Sequence, residues 1–443
     1  MSQSLHAVVV GAGIGGLAFA ILARKQGLRV SVLEKTEQLT PVGAGIQIPP
    51  NASRIWSQCG VLEKLKKLSV VSEATQLRRW KNGELLCTRT VGEALDERWP
   101  WLVIHRADYQ RILVQEAQEL GVTIRLGSNV HAVDFDLGSL TLGSGEVIAG
   151  DIIVGADGEP VVEPPKRHSR PRVSPQETGD LAYRGTFSLS ALQALNDTQV
   201  DELCSKNIVT MWLGPGSHAV FYPVRCGKEF NLVLTRPDNL PPNIRTEKGN
   251  LSEMVALFQH WDPVLKRILS AFSSVLKWKM LHHEELTNWT RGNVALLGDA
   301  CHPSLPYQAQ GAAMAVEGGA ALATLLGLYQ QALHRNGGAE EASKILTIPK
   351  ILENYEALQK ARTTRLHLGS ISNQHLYHLH DGKEQEERDR ILRATEWKER
   401  PIGEAEAFIW IDDRYQMAVV GRDTISDARV KWDRMISQLD TNE

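Results

Sequence analysis

A β-branched apolar run, Val8-Val9-Val10, opens the chain and stops at Gly11-Ala12-Gly13-Ile14-Gly15-Gly16. Small and apolar residues continue through Leu17–Gln26, and a second run, Val30-Ser31-Val32-Leu33, ends in Glu34. Strand, turn, helix and strand read as one βαβ unit. A helix is expected over Ala52–Cys59, then strands within Val70–Thr90 joined at Lys81-Asn82-Gly83, where Asn-Gly signals a hairpin. After His105-Arg106-Ala107-Asp108 comes a helix with Ile112, Leu113, Ala117 and Leu120 on one face and Asp108 as its N-cap. Thr123–Leu126, His131–Phe135, Ser139–Leu142 and Ile148–Val154 alternate like strands, and the last runs into Gly155-Ala156-Asp157-Gly158.

From Gly179 the pattern is β-like: Leu181–Phe187, Ile208–Leu213, His218–Val224 and Phe230–Leu234. A helix carrying Met254, Leu257, Phe258 and Trp261 interrupts it, and a strand around Val275–Met280 closes the stretch. Val294–Ala300 repeats the opening logic, an apolar strand ending in Gly298-Asp299. It turns through Cys301–Pro306 into a helix at Gln310-Gly311-Ala312-Ala313 that runs past Leu326. Pro349 starts another helix, Lys350–Leu368, and Lys383–Arg400 alternates acids and bases as a solvated helix does. The tail carries Phe408, Trp410 and Tyr415. Between these segments, Glu159–Arg172 holds four prolines and five basic residues, a density that forbids a regular helix. It reads as a solvated loop, with a nuclear signal or a phosphate patch as alternatives.

With 443 residues the chain exceeds what one core usually supports, so two or three packed units are expected. The formal charge of −3 gives no reason to expect nucleic acid or an anionic membrane as partner. No run of residues reads as a membrane span of ~18 apolar positions, and no basic segment precedes Leu5–Val10, so a cytoplasmic protein is expected. The five cysteines are scattered and read as reduced thiols. His367, His375, His378 and His380 cluster without a zinc spacing, so a polar surface loop is expected there and no metal.

Candidate chemistry begins at the first turn. Gly11 makes the tight turn, Gly13 lets backbone approach a pyrophosphate, and Gly16 lets the helix pack close to the sheet. The positive end of the helix suits a diphosphate. Glu34, 23 positions after Gly11, is placed to hold a ribose hydroxyl. The alternative is accidental glycine-rich packing. Gly43-Ala44-Gly45 lets backbone pass close to something large and flat, or is an ordinary turn before a helix.

Three separated motifs, GAGIGG…LEK, VGADG and LLGDACHPxxPYxAQGA, resemble the signatures of the single-component FAD-dependent aromatic monooxygenases. The likeness is to the salicylate-hydroxylase-like branch, which includes fungal phenol-hydroxylating enzymes. It implies an α/β fold: a Rossmann-like FAD-binding domain, an inserted β-sheet substrate domain and a helical C-terminal region. The corresponding division is 1–178 for the first FAD-binding part, with a substrate-side hairpin about 70–100; 179–289 for the substrate domain; 290–370 for the second FAD-binding part; and 371–443 for the helical tail. The resemblance implies cofactor-binding roles for Gly11, Gly13, Gly16, Glu34, Gly45, Arg106, Asp157, Asp299, Gly311 and Ala312. Glu34 would hold the adenosine ribose, Gly45 and Arg106 would line the flavin side, and Asp299 would bond the ribityl chain. Backbone N–H groups of Gly311 and Ala312 would face the isoalloxazine and stabilise negative charge on the reduced ring.

The activity implied is NADPH- or NADH-driven hydroxylation, or dearomatisation, of a phenolic small molecule with O2 through a flavin hydroperoxide. Its setting would be secondary-metabolite biosynthesis or aromatic catabolism, in a monomer or homodimer. Arg184 and Tyr222 fall where fungal members place a pair that activates the substrate; a guanidinium and a phenol on one oxygen would stabilise a phenolate. The alternatives are an edge-strand arginine paired with an acid and a tyrosine capping the sheet. Gln47 stands where some relatives carry a histidine base. The chain departs from the family pattern at Val161 and Pro164, where Ser and Arg are usual, and at Gly318, where an acid often follows Glu317. A Baeyer–Villiger enzyme or epoxidase on the same scaffold is one alternative function. A flavin-binding protein with little turnover is another.

Overall fold

The computed structural model describes residues 4–39, 44–90, 98–135, 137–158, 176–282, 284–335, 346–394 and 413–440. Gly43, the segment Glu159–Arg172 with Val161 and Pro164, the end of the charged stretch beyond residue 394, Phe408 and Trp410 lie outside the described residues.

The opening strand His6–Val10 sits inside a six-stranded sheet, parallel to Arg29–Leu33 on one side and Ile152–Gly155 on the other. Ile152–Gly155 pairs in parallel with Val294–Leu296, whose short antiparallel partner Thr290–Arg291 closes that edge. Thr123–Arg125 closes the other. Parallel strands buried on both faces read as continuous apolar runs, as Val8–Val10 and Ile152–Val154 do. Three of them end at one edge, where Gly11, Ala156-Asp157 and Gly298-Asp299 follow. A ligand crevice is expected at the carboxyl ends of such strands.

Helix Ile14–Lys25 packs between this sheet and the 25-residue helix Gly311–Arg335. The latter corrects the reading of run lengths. Residues Gly311–His334 are long and apolar enough to cross a membrane, but 83% of their apolar window is buried inside the protein, as in a core helix. Gly318, departing from the family pattern, faces Leu297, which a Cβ there would approach to 2.7 Å.

The second large sheet has eight strands. Their order is Thr246–Lys248, Leu276–His282, Gln176–Ser188, Glu229–Pro237, Ser217–Val224, Ile208–Gly214, Ala74–Arg79 and Leu85–Thr90. The Asn82-Gly83 hairpin thus joins the strands that follow residue 176, through parallel pairing of Ala74–Arg79 with Ile208–Gly214. Alternation sorts the side chains. Leu181, Tyr183, Trp212, Ala219 and Phe221 face a layer of short helices. Ala182, Met211, Tyr222 and Met280 face the other way, toward the first half.

Several local expectations are corrected. His105, not Asp108, caps helix Arg106–Glu119, because its ring Nδ1 accepts the Ala107 N–H at 3.3 Å. Pro263 splits the 251–270 region into helices Leu251–Leu257 and Pro263–Ser270, leaving Trp261 between them. The helix opened by Pro349 runs Ile348–Tyr377, well past Leu368, since no breaker intervenes. His367 and His375 therefore stand on a helix, and His378 is packed against the eight-stranded sheet rather than in a surface loop. Among the described residues no three His, Cys, Asp or Glu side chains gather as metal ligands would. Helix Lys383–Arg393 is not solvated all round: Arg388 and Asp389 are buried, and Asp389 pairs with Arg79 of the hairpin at 2.8 Å.

Candidate active site

The turn after the opening strand has the shape its glycines require. Gly11 has φ +104, and a Cβ there would lie 2.7 Å from Ala156 O. A Cβ on Gly16 would overlap Gly11 O, so helix and strand meet in van der Waals contact only without it. Gly13 is different: a Cβ there would find nothing nearer than Ala156 O at 3.8 Å. Its backbone borders a cleft of about 310 Å³ lined by Gly11, Gly13, Glu34, Arg106, Gln110, Ser128, Asp157 and Trp278.

Five of the expected residues, Gly11, Gly13, Glu34, Arg106 and Asp157, therefore share one cleft. Glu34 Oε2 accepts the Ala12 N–H at 2.9 Å and Oε1 accepts from Thr36 N at 3.0 Å, which fixes the carboxylate at the cleft wall. Gln110, which also lines the cleft, donates through Nε2 to Ala12 O at 2.8 Å. Sequence reasoning missed Gln110, which reads as one more polar residue on an amphipathic helix. Asp299 lies beside the second turn, its Cβ 3.8 Å from where Gly158 would carry one. Gly311 and Ala312 begin the long helix and are partly exposed.

A second group stands next to the first. Trp278 lines the cleft and also lies under Arg184, whose guanidinium carbon is 5.8 Å from the ring centroid. Arg184 and Tyr222 project from the same sheet face as Val220, Val233 and Trp278, which are partly exposed although they lie well inside the sheet. These side chains form an open floor. Tyr222 is buried, and burial pushes its pKa well up against the opposing pull of Arg184. Burial pulls the Arg184 pKa down, Tyr222 opposes that, and nearby Arg106 adds to it.

Gly45 completes the junction. Its N–H donates to Asn231 Oδ1 at 2.8 Å, and a Cβ on it would lie 2.8 Å from the Tyr222 hydroxyl. The structure thus brings Gly45, Arg106, Arg184 and Tyr222 together. Asn231, also missed, is cross-strand from Tyr222 and is fully buried; nothing in its local sequence marks it. Gln47 accepts from Trp101 Nε1 at 2.8 Å.

Residues 4–333 match the family described as FAD binding domain. An FAD-dependent monooxygenase, OpS4, of Beauveria bassiana (strain ARSEF 2860) is 36% identical over 96% of this chain and 97% of its own length. The 3-hydroxybenzoate 6-hydroxylase of Polaromonas naphthalenivorans (strain CJ2) is 31% identical over 89% and 92%.

The chain belongs to the FAD-dependent aromatic monooxygenase family.

A solved salicylate hydroxylase with bound substrate shares the fold, with a TM-score of 0.74 at 23% identity over 97% of this chain and 98% of that one. The α/β architecture of this monooxygenase, a Rossmann-like half with a β-sheet half inserted, is the one expected. Its residues fit FAD on the geometry alone: backbone at Gly13 borders open space, an acid ends the second strand, and Arg106 and Trp278 continue the wall toward Tyr222.

The far end of the same sheet face holds a further polar cluster that the motifs did not signal. His218 Nδ1 and His378 Nε2 are 2.8 Å apart, and Asp180 accepts from Tyr307 and, at 2.6 Å, from Gln374. Burial drives the pKa of His218 well down, with His378 adding to the effect, and brings that of His378 to about 4.

Proposed function

We propose that this monooxygenase hydroxylates a phenolic or related aromatic small molecule, with NADPH or NADH as electron donor. The observation that carries the reading is the meeting of Arg184 and Tyr222 on an open floor beside Gly45 and Trp278. Supporting it, a relative 32% identical, from Streptomyces cremeus, is named 3-amino-4-hydroxybenzoate 2-monooxygenase, and the Polaromonas relative is named for a hydroxybenzoate.

In this reading the Gly11–Gly13 turn and the first amides of helix Ile14–Lys25 hold the pyrophosphate, while Glu34 takes the adenosine ribose. Asp157 and Asp299 would hold the ribityl chain, Arg106 and Gly45 would border the ring, and the Gly311 and Ala312 N–H groups would stabilise negative charge on it when reduced. Bound there, FAD supplies electron transfer from the nicotinamide and transfer of one oxygen atom from O2 to the substrate. The chain's own residues prepare the acceptor. Arg184 is a permanent cation partly removed from water, so its charge acts on a substrate oxygen in a low dielectric. Tyr222, with its pKa raised by burial, stays protonated at neutral pH and donates to the same oxygen. Together they favour the phenolate, whose ring carries more electron density at the carbons to be oxygenated. Val220, Val233 and Trp278 supply the flat apolar surface for the ring. All five cysteines are unpaired, which supports a cytoplasmic setting.

The test is NAD(P)H oxidation by FAD-loaded protein against a panel of phenols, with mass analysis of the product. A phenol that stimulates oxidation and gains one oxygen supports the reading. FAD-loaded protein that no phenol stimulates overturns it.

A further inference from the structure

The last described helices reach back to the entry of helix Gly311–Arg335. Two residues before that helix, Ala309 has φ +55, the left-handed region that a residue with a Cβ disfavours. Both flanking glutamines are pinned. Gln310 accepts through Oε1 from Asn51 Nδ2 at 3.0 Å, and Asn51 also donates to Glu317 at 2.8 Å. Arg362 in turn holds the Glu317 carboxylate at 2.7 Å. Gln308, fully buried, exchanges two hydrogen bonds with one hydroxyl: its Nε2 donates to Tyr415 Oη at 3.0 Å, and Oη donates to its Oε1 at 3.2 Å.

Tyr415 belongs to helix Asp413–Val420, beyond the 4–333 span that matches the family. It is only 3% exposed, and the space it shares with Gln308 is left by the missing side chain of Gly369. The same helix is tied down through Arg362, which donates to Ala418 O at 2.9 Å and to Val419 O at 2.5 Å while holding Glu317. One arginine therefore links the clamps on both sides of Ala309.

We propose that Tyr415 is a positioning residue: through Gln308 it holds the left-handed turn at Ala309, and so the direction in which the first amides of helix Gly311–Arg335 face the flavin. This rests on the reading above that the flavin ring lies at that helix start. Unpaired N–H groups and the positive helix end act only over the first turn, so a small swing of that turn changes how well they meet a ligand.

The experiment titrates FAD into apoprotein of wild type, Tyr415→Phe, Ala309→Gly and the double variant, with the apoprotein unfolding midpoint measured for each. Tyr415→Phe lowers the apoprotein midpoint by the small amount one buried hydrogen bond is worth, and it raises the FAD Kd about tenfold, because a turn released from the clamp must be ordered again when FAD binds. Glycine accepts the left-handed turn without the clamp, so in the Ala309→Gly background the same tyrosine change costs only about twofold. Gln308→Met removes the contact from the other side and must also raise the Kd. An unchanged Kd in Tyr415→Phe or Gln308→Met, or an undiminished tenfold cost in the Ala309→Gly background, overturns the proposal. Wild type that takes up FAD but oxidises no phenol would end the phenol reading and leave this one standing.

Discussion

The turn Gly11–Gly16 and the pair Arg184–Tyr222 are the two ligand-facing groups of the proposed function, yet they are specified differently. In the turn most of the specification is local: six consecutive residues set a left-handed glycine and a close helix approach, and Ala156 crowds Gly11 from the neighbouring strand. In the pair nothing is local. Arg184 stands opposite Val233, Val233 opposite Val220, and Tyr222 two residues further along that strand, opposite Asn231. Their meeting depends on the register of three strands, where a slip of one residue would send every side chain to the other face. The local site is fixed by backbone shape and fails as a unit. The distributed site is fixed by packing and fails by degrees.

The sharpest way to break that contrast is Gly16→Ala. Its methyl would overlap Gly11 O, so strand and helix must part, and we expect loss of bound FAD together with a large fall in unfolding midpoint. A holoprotein of normal FAD content would show that the turn is not specified as tightly as described.

Arg184→Ala and Tyr222→Phe come next. Each should cost roughly 2–4 kcal/mol of transition-state stabilisation, seen as a fall in kcat with FAD affinity nearly intact. The Arg184 variant should also move the pH optimum upward, because the phenol then ionises unaided. Normal rates and an unmoved profile with a competent substrate would remove the pair from the chemistry.

Acid should weaken the half that carries the pair, because the far end of the same sheet face holds His218 and His378. His218 and His378 are held neutral in the folded chain, with His378 near pH 4 against an ordinary 6.5. Between those values the unfolded chain binds protons that the folded chain refuses. Stability is therefore full above pH 6.5 and falls toward pH 4, by about 3 kcal/mol for His378 alone. Asp180, whose pKa burial raises, takes up its proton early on folding and offsets part of the loss at the acid end. His378→Gln should flatten the pH dependence of the unfolding midpoint; an equally steep curve would mean another group carries it.

The smallest effect is expected at Asn231→Ala, which removes the acceptor of the Gly45 N–H but no group that meets substrate. About 1 kcal/mol should be lost, read as a modest rise in KM with Tyr222 less well seated. A loss as large as that of Tyr222→Phe would place Asn231 in the chemistry itself.

The same contrast decides what could be read from the chain before its fold was known. The turn, its glycines and Glu34 were legible because each requirement is met within about 25 positions, as a βαβ unit demands. Arg184 and Tyr222 came from family likeness, not from pattern, since an arginine and a tyrosine on amphipathic strands look like any others. Gln110, Asn231 and Trp278 had no signal, because each matters through what it reaches across the fold. The His218–His378 contact was hidden for a further reason: the helix that carries the chain to His378 runs past its expected end at Leu368. Asp108 was a good cap by composition, but His105 reached the free amide first.

The hairpin Ala74–Thr90 has a consequence for how the chain is made. Thr75 pairs with Val209, so two strands of the eight-stranded sheet leave the ribosome long before the strand they lie against. Until Ile208–Gly214 follows, the hairpin has an apolar face, with Leu77, Leu86 and Cys87, and an unpaired edge. The dinucleotide half is no earlier, since its strand Val294–Leu296 and helix Gly311–Arg335 come later still, so the ribbon waits for more than about a hundred residues of synthesis with neither half complete. Conversely, residues 176–282 expressed alone would lack the ribbon, expose the free edge of Ile208–Gly214 and aggregate rather than fold as an independent unit.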